Sequence, residues 1–301
     1  MNTTIRSTLL PCLLAIACTL SASAQKESLP DSTGLPGDQF DLTAALDAFK
    51  NAADPEQFEQ SLNTADNHIN NLDLDDNGEV DYVSVASIKD GDAVAVVLRV
   101  VLSPEENQDV AVIELEKTEE NTALVQIRGD EELYPDSTII EPFEEKDEET
   151  KGARGPMAPE LVRVRVTVNV WSWAPVPWYF GIGYRPYVSA WYWGHWPGWW
   201  VRWHPHPWHR WHGWHAHGHG WYRPWPHCRV VHAHAMYTPH RAHSVNVHAR
   251  YADAHARHAR TRSAARSSAP PAGRKAGKAA KPQKQKAAPG RKTPVRSPRK
   301  R

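Results

Sequence analysis

The stretch Val80-Asp81-Tyr82-Val83-Ser84-Val85-Ala86-Ser87-Ile88-Lys89-Asp90-Gly91-Asp92-Ala93-Val94-Ala95-Val96-Val97-Leu98-Arg99-Val100-Val101-Leu102 decides the fold class. Two runs rich in Val and Ile, Val80–Ile88 and Ala93–Leu102, flank Asp90-Gly91-Asp92. A short polar break containing Gly between two β-branched runs reads as a hairpin. The pattern continues downstream. Val110–Glu116 and Thr122–Arg128 are further strand-like runs, set off by Ser103–Asp109 and Glu119-Glu120-Asn121, and Ile139–Phe143 adds a short one. Turns this short make an antiparallel meander the simplest topology. Upstream the apolar period lengthens. Asp41 or Asp38 can cap a helix over Leu42–Asn51, with Leu42, Leu46 and Phe49 at helical spacing. Asp54-Pro55-Glu56 opens a second short helix, with a cap, Pro at the first helical position and an acid behind it; Phe58 and Leu62 form its stripe. The expected class is α+β: two short helices leading into an antiparallel β-meander, in an acidic domain over 35–145 long enough to bury a core.

Charge divides the chain in two. Residues 25–150 hold 33 acids and 7 bases, and residues 151–301 hold 2 acids and 27 bases; Arg6 supplies the last base, so the formal total is zero. All 14 Trp lie between Trp171 and Trp225, and 16 of the 17 His between His195 and His258. A uniform globule is excluded, and a basic half of this kind suits an anionic partner.

Residues 1–24 read as a secretory signal peptide: Arg6, the apolar run Leu9–Leu20, then Ala22-Ser23-Ala24 before Gln25. A lipoprotein acylated at Cys18 is the alternative. Either reading places the protein outside the cytoplasm, in the periplasm, at the outer membrane or in the medium. Past the leader, Cys228 is the one cysteine, so an intrachain disulfide framework is excluded.

The sharpest motif is Asp73-Leu74-Asp75-Asp76-Asn77-Gly78-Glu79-Val80-Asp81-Tyr82. Hard Ca²⁺ takes oxygens, and a tight loop delivers them from alternate residues. Asp73, Asp75 and Asn77 present side-chain oxygens, Gly78 permits the sharp turn, Glu79 offers its backbone carbonyl, and Asp81 closes the set directly or through water. The loop resembles EF-hand, dockerin and FG-GAP calcium loops. It departs from the EF-hand at its twelfth position, where Ser84 replaces the bidentate Glu, and it runs into a strand, which fits the FG-GAP type better. Beyond the loop, Leu35-Pro36-Gly37-Asp38-Gln39-Phe40, Gln108-Asp109-Val110-Ala111-Val112-Ile113-Glu114, Gly129-Asp130-Glu131-Glu132-Leu133-Tyr134 and Val168-Asn169-Val170-Trp171 are similar to segments of an uncharacterised family of secreted bacterial proteins. That resemblance implies export and calcium binding and supplies no activity.

The second half is expected to be low-complexity and largely disordered. It divides into a charged linker over 146–160, an amphipathic strand over 161–171, a Trp/Pro/His-rich segment over 172–226, a His/Arg-rich segment over 227–262 and a basic tail over 263–301. In the strand, Val162, Val164, Val166, Val168 and Val170 alternate with Arg163, Arg165, Thr167 and Asn169. It suits an edge of the acidic domain, its arginines meeting surface acids, or a partner strand. Between Trp171 and Pro226 eight prolines exclude long helices, and almost no Leu, Ile or Met is present to fill a core. His204, His206, His215, His217 and His219 stand close enough in sequence to bind zinc, copper or nickel by local geometry. The tail has no acid and cannot bury a core. Its expected partners are an anionic envelope, lipid headgroups or an acidic glycan, with self-association also open and nucleic acid a lesser alternative. Folding back onto the acidic domain would give a loose, salt-sensitive association.

No nucleophile–base pair stands out in the acidic half, and its paired carboxylates sit beside turns. The function expected from sequence is therefore a non-enzymatic exported calcium-binding protein attached to a surface through its cationic half. The alternative is a His-rich transition-metal binding or buffering protein.

Overall fold

A computed structural model describes residues 32–135, 138–149, 161–215 and 220–268. Residues 1–31, 136–137, 150–160, 216–219 and 269–301 lie outside them. The chain divides into two compact units, 1–254 and 255–301. In the first unit α1 (Leu42–Asn51) and α2 (Pro55–Leu62) precede β1 (Val83–Asp90), β2 (Ala93–Val101), β3 (Asn107–Glu119), β4 (Thr122–Gly129), β5 (Ile139–Glu149) and β6 (Leu161–Thr167). Asp41 caps α1 by accepting from the Thr43 and Ala44 amides, and Asp54 caps α2 through Gln57. The six strands are antiparallel neighbours in chain order, and a three-residue β7 (Tyr222–Pro224) pairs with β5 to complete a seven-stranded sheet. The β1–β2 register, Val85 opposite Leu98 and Asp90 opposite Ala93, leaves Gly91-Asp92 as a two-residue turn with Gly91 at φ 55°.

The inner face of the sheet carries Val83, Val85, Val94, Val96, Leu98, Ile113, Leu115, Val125 and Ile127. They pack against Leu46, Phe49, Phe58 and Leu62 of the two helices. Tyr134 closes one end: its hydroxyl donates to the Phe40 carbonyl at 2.9 Å, and a Cβ on Gly37 or Gly129 would collide with its ring.

The expected disorder of the second half does not hold for residues 161–215 and 220–254. Val170, Trp173, Val176 and Tyr179 enter the inner core, the last two on a one-turn α3 (Val176–Phe180). On the outer face Ala95, Val97 and Val112 pack with Tyr237, and Ala93 with Val230 and Ala233, from α5 (Val231–Tyr237) and the residue before it. The reason is physical: the second half lacks aliphatics to build its own core, and completes one that the sheet leaves open on both faces.

Several boundaries move accordingly. Residues 146–149 of the expected linker are the end of β5, which pairs with β6 from Glu149 opposite Leu161 to Phe143 opposite Thr167. The expected strand ends at Thr167, because residues 168–171 turn away to bury Val170, whose amide donates to the Ala123 carbonyl at 3.0 Å. Arg163 and Arg165 do meet acids of the neighbouring strand, Arg165 reaching Glu145 at 3.2 Å and Arg163 reaching Asp147 at 3.6 Å. The Trp- and His-rich segments carry α4 (Trp208–His215), α5 and the start of α6 (Val245–Ser268), so residues 263–268 of the expected basic tail are helical.

Candidate metal centre

The acidic loop joins Asn70-Asn71-Leu72 to β1. Leu72, Leu74 and Val80 are buried and anchor it to the core, leaving the polar residues between them at the surface. Asp76 at φ 62° and Gly78 at φ 83° take the left-handed backbone that folds the loop back on itself. Asp73 accepts from the Asn77 and Gly78 amides at 3.0 and 2.9 Å, Asp75 accepts from Asn77, and Asp81 accepts from the Leu74 amide at 2.6 Å. These bonds aim three carboxylates at one point. One oxygen each from Asp73, Asp75 and Asp81 lies within 4.8 Å of the others, the one such convergence of three His, Cys, Asp or Glu ligands among the described residues.

The electrostatics favour a cation there. Burial, with Asp75 and Asp73 adding to it, pushes the Asp81 carboxyl up to about 7 even though the Leu74 amide opposes the shift. Asp73 moves the same way, again chiefly by burial. Three gathered carboxylates are a donor set a divalent cation would satisfy, and their all-oxygen chemistry fits calcium. Asp73, Asp75 and Asp81 fit the expected set directly. The Asn77 side-chain oxygen accepts from the Glu79 amide at 2.7 Å, and the Glu79 carboxylate is held by Arg202 at 2.7 Å. The expected role of Glu79 was its backbone carbonyl, which that ion pair leaves untouched.

The surroundings were not legible in the motif. Arg250 of α6 donates to the Leu74 and Asp75 carbonyls, the His204 Nδ1 lies 2.6 Å from the Gly78 carbonyl, and the Val80 amide donates to Trp203 at 2.8 Å. Across a cavity of about 220 Å³ the loop faces Tyr82, Trp193, Trp196 and Trp200. The Trp-rich segment thus roofs the acidic loop.

The histidines are dispersed. His204 serves the loop; His206 packs edge-on against Trp214 at 4.9 Å; the His215 Nδ1 pairs with Asp41 at 2.6 Å. His217 and His219 lie outside the described residues. His68, the one histidine of the acidic half, stacks on Trp214 at 3.7 Å, and burial followed by repulsion from His206 and His215 lowers its pKa. Instead of gathering around one ion, the imidazoles of the second half pair with acids of the first: His232 with Glu116 at 2.7 Å, His234 with Glu114 at 2.6 Å and His248 with Glu132 at 2.6 Å.

The same holds for the arginines, and sequence reasoning missed it. Asp109, Glu114 and Glu141 are fully buried on the sheet, and Asp130 is 6% exposed. Asp109 receives Arg99 at 2.5 Å, the Tyr237 hydroxyl at 2.7 Å and the Ala242 amide at 2.9 Å. Arg241 grips Asp130 at 2.5 Å, and Arg223 and Arg229 both reach Glu141 at 2.8 Å. Each of these four carboxylates takes at least one partner from residues 223–242, and for Asp130 and Glu141 those partners are the arginines that let the acidic half bury a charge.

Comparisons with protein-family models, with curated proteins and with solved structures return no match for this chain.

Proposed function

We propose that the protein is an exported, non-enzymatic calcium-binding protein, of the secreted bacterial type its motifs resemble, that attaches to an anionic surface through its basic C-terminal segment. The observation that carries the calcium reading is the convergence of Asp73, Asp75 and Asp81 on one point, in a loop tied to the core by Leu72, Leu74 and Val80. Calcium there is structural: it neutralises three carboxylates at the helix-to-sheet junction and so holds the loop beneath its aromatic roof. Attachment is assigned to residues 255–301, which contain 16 Lys and Arg and no acid. Arg223, Arg229, Arg241, His232, His234 and His248 are paired with acids of the first half, and the Trp-rich segment packs on its own domain. Headgroup phosphates of the envelope or an acidic glycan are the matching surfaces.

Calorimetric titration of the full chain with calcium, zinc and copper tests the calcium reading. One calcium site is expected, with a Kd on the order of 10⁻⁴–10⁻³ M as in extracellular modules, lost in Asp81→Asn. Zinc or copper binding with calcium silent would replace it with the transition-metal reading.

A further inference from the structure

Tyr82 also lines a second cavity, of about 500 Å³, between α2 and the Trp-rich segment. Its aromatic lining is Tyr82, Tyr187, Trp191 and Trp199, and its charged lining is Asp54, Glu56 and Glu59; no Lys, Arg or His is among the residues that line it. This sets it apart in a molecule whose other acids are so widely met by basic side chains.

Its floor is built and held. Glu59 is 2% exposed, and its carboxylate accepts from the Tyr82 hydroxyl at 2.6 Å, the Ser189 hydroxyl at 2.7 Å, the Val85 amide at 3.1 Å and the Tyr187 hydroxyl at 3.2 Å. All four partners are donors without formal charge; burial raises the pKa of the Glu59 carboxyl and these hydrogen bonds oppose the shift, so a cation beside it would favour the ionised form. A phenol that donates to a carboxylate gains electron density in its ring, which deepens the negative potential of the aromatic face. Tyr82 and Tyr187 are both in that state. Trp199, 42% exposed, completes the wall at the mouth.

We infer that this cavity binds a small organic ammonium cation, a quaternary or alkylated ammonium group, between the aromatic faces and above the Glu59 carboxylate. Aromatic walls attract such a cation through the ring quadrupole, and its diffuse charge is cheaply desolvated. A neutral sugar would stack on the same rings and donate hydroxyl hydrogen bonds to the acids, but it would leave their charge uncompensated. An inorganic anion is excluded by the sign of the lining. Nothing in this inference needs the calcium loop to be filled.

The test is a titration of the full chain with choline and with 3,3-dimethyl-1-butanol, its neutral isostere, followed by the tryptophan indole N–H signals in NMR spectra. Choline should shift the Trp191 and Trp199 signals saturably, and the isostere should bind at least ~10-fold more weakly. Trp199→Ala should weaken choline binding ~10-fold or more, and Glu56→Gln, at an exposed position that leaves the core intact, should weaken it several-fold. Co-sedimentation with phosphatidylcholine vesicles against phosphatidylglycerol vesicles then separates a lipid headgroup from a free ammonium solute as the source. Equal binding of choline and isostere, preferential binding of a neutral hexose, or no shift with either ligand would overturn the inference. All three readouts can be taken with calcium and with chelator, so failure of the calcium reading is seen separately.

Discussion

Arg241 shows at the scale of a single residue how the two halves depend on each other. Its guanidinium meets Asp130 at 2.5 and 2.9 Å and Glu131 at 2.9 Å. Burial pushes the Asp130 carboxyl above its ordinary value, and the hydrogen bonds from Arg241 hold that shift back. Truncating one member of a buried pair strands the other charge in a poorly solvated place, which costs about 3–5 kcal/mol. Arg241→Ala is therefore expected to lose about that much in urea unfolding, whereas Arg163→Ala, whose partners are exposed, should lose less than about 1 kcal/mol. A loss near zero for Arg241→Ala would show that Asp130 is not buried against the basic half. Glu114 and Arg128 make a comparable pair deeper in the sheet, with a long 3.4 Å contact; one carboxylate oxygen and one guanidinium nitrogen of this pair find no partner among the described residues. His234 at 2.6 Å is the closer partner of Glu114.

At the scale of elements, α1 is fixed from both ends of the chain. Asp41 caps it through the Thr43 and Ala44 amides at 2.8 and 2.9 Å and also receives His215 of α4 at 2.6 Å. Burial alone would raise the Asp41 pKa, but the His215 contact and the two cap bonds outweigh it and leave the carboxyl below its ordinary value. A group whose folded pKa is depressed contributes stability that is complete above the unfolded pKa, about 3.9, and is lost as pH falls through the folded value. The stability gap between wild type and Asp41→Ala should be about 1–2 kcal/mol at pH 7. It should close below about pH 4, as the Asp41 carboxyl is protonated. A gap that persisted undiminished to about pH 2 would reverse the assignment. The helix starts were legible because caps are local: Asp41 and Asp54 stand where the chemistry of an N-terminus requires them. The hairpins were legible for the same reason, through Gly91 and the Glu120-Asn121 turn. The second layer on the sheet was not read, although β2 carried its signal. Ala95 and Val97 alternate with Val94, Val96 and Leu98, so both faces of that strand are apolar and both need cover. Glu141, buried on β5, draws both its arginine partners, Arg223 and Arg229, from elsewhere in the chain. The acidic triad could be read from spacing alone. Its roof of Trp193, Trp196 and Trp200 could not, because it comes from residues more than a hundred positions away that have no period of their own.

At the scale of the molecule, the formal balance of charge is a pairing of surfaces. The acidic sheet and the basic, aromatic second half are each poor folding units: one would bury uncompensated carboxylates, the other has too few aliphatics for a core. Together, among the described residues of 32–254, they share one core and a set of buried ion pairs, and they frame the acidic loop and the aromatic cavity between them. The 14 Trp give a direct probe of this claim, since every one of them lies in the second half. Thermal unfolding of the full chain, followed in parallel by tryptophan fluorescence and by far-ultraviolet circular dichroism in low and in 0.5 M salt (a Debye length of roughly 4 Å), tests it most directly. The account predicts one coincident transition with both probes at both salt concentrations. A separate tryptophan transition, preceding loss of the sheet and moved to lower temperature by salt, would contradict it.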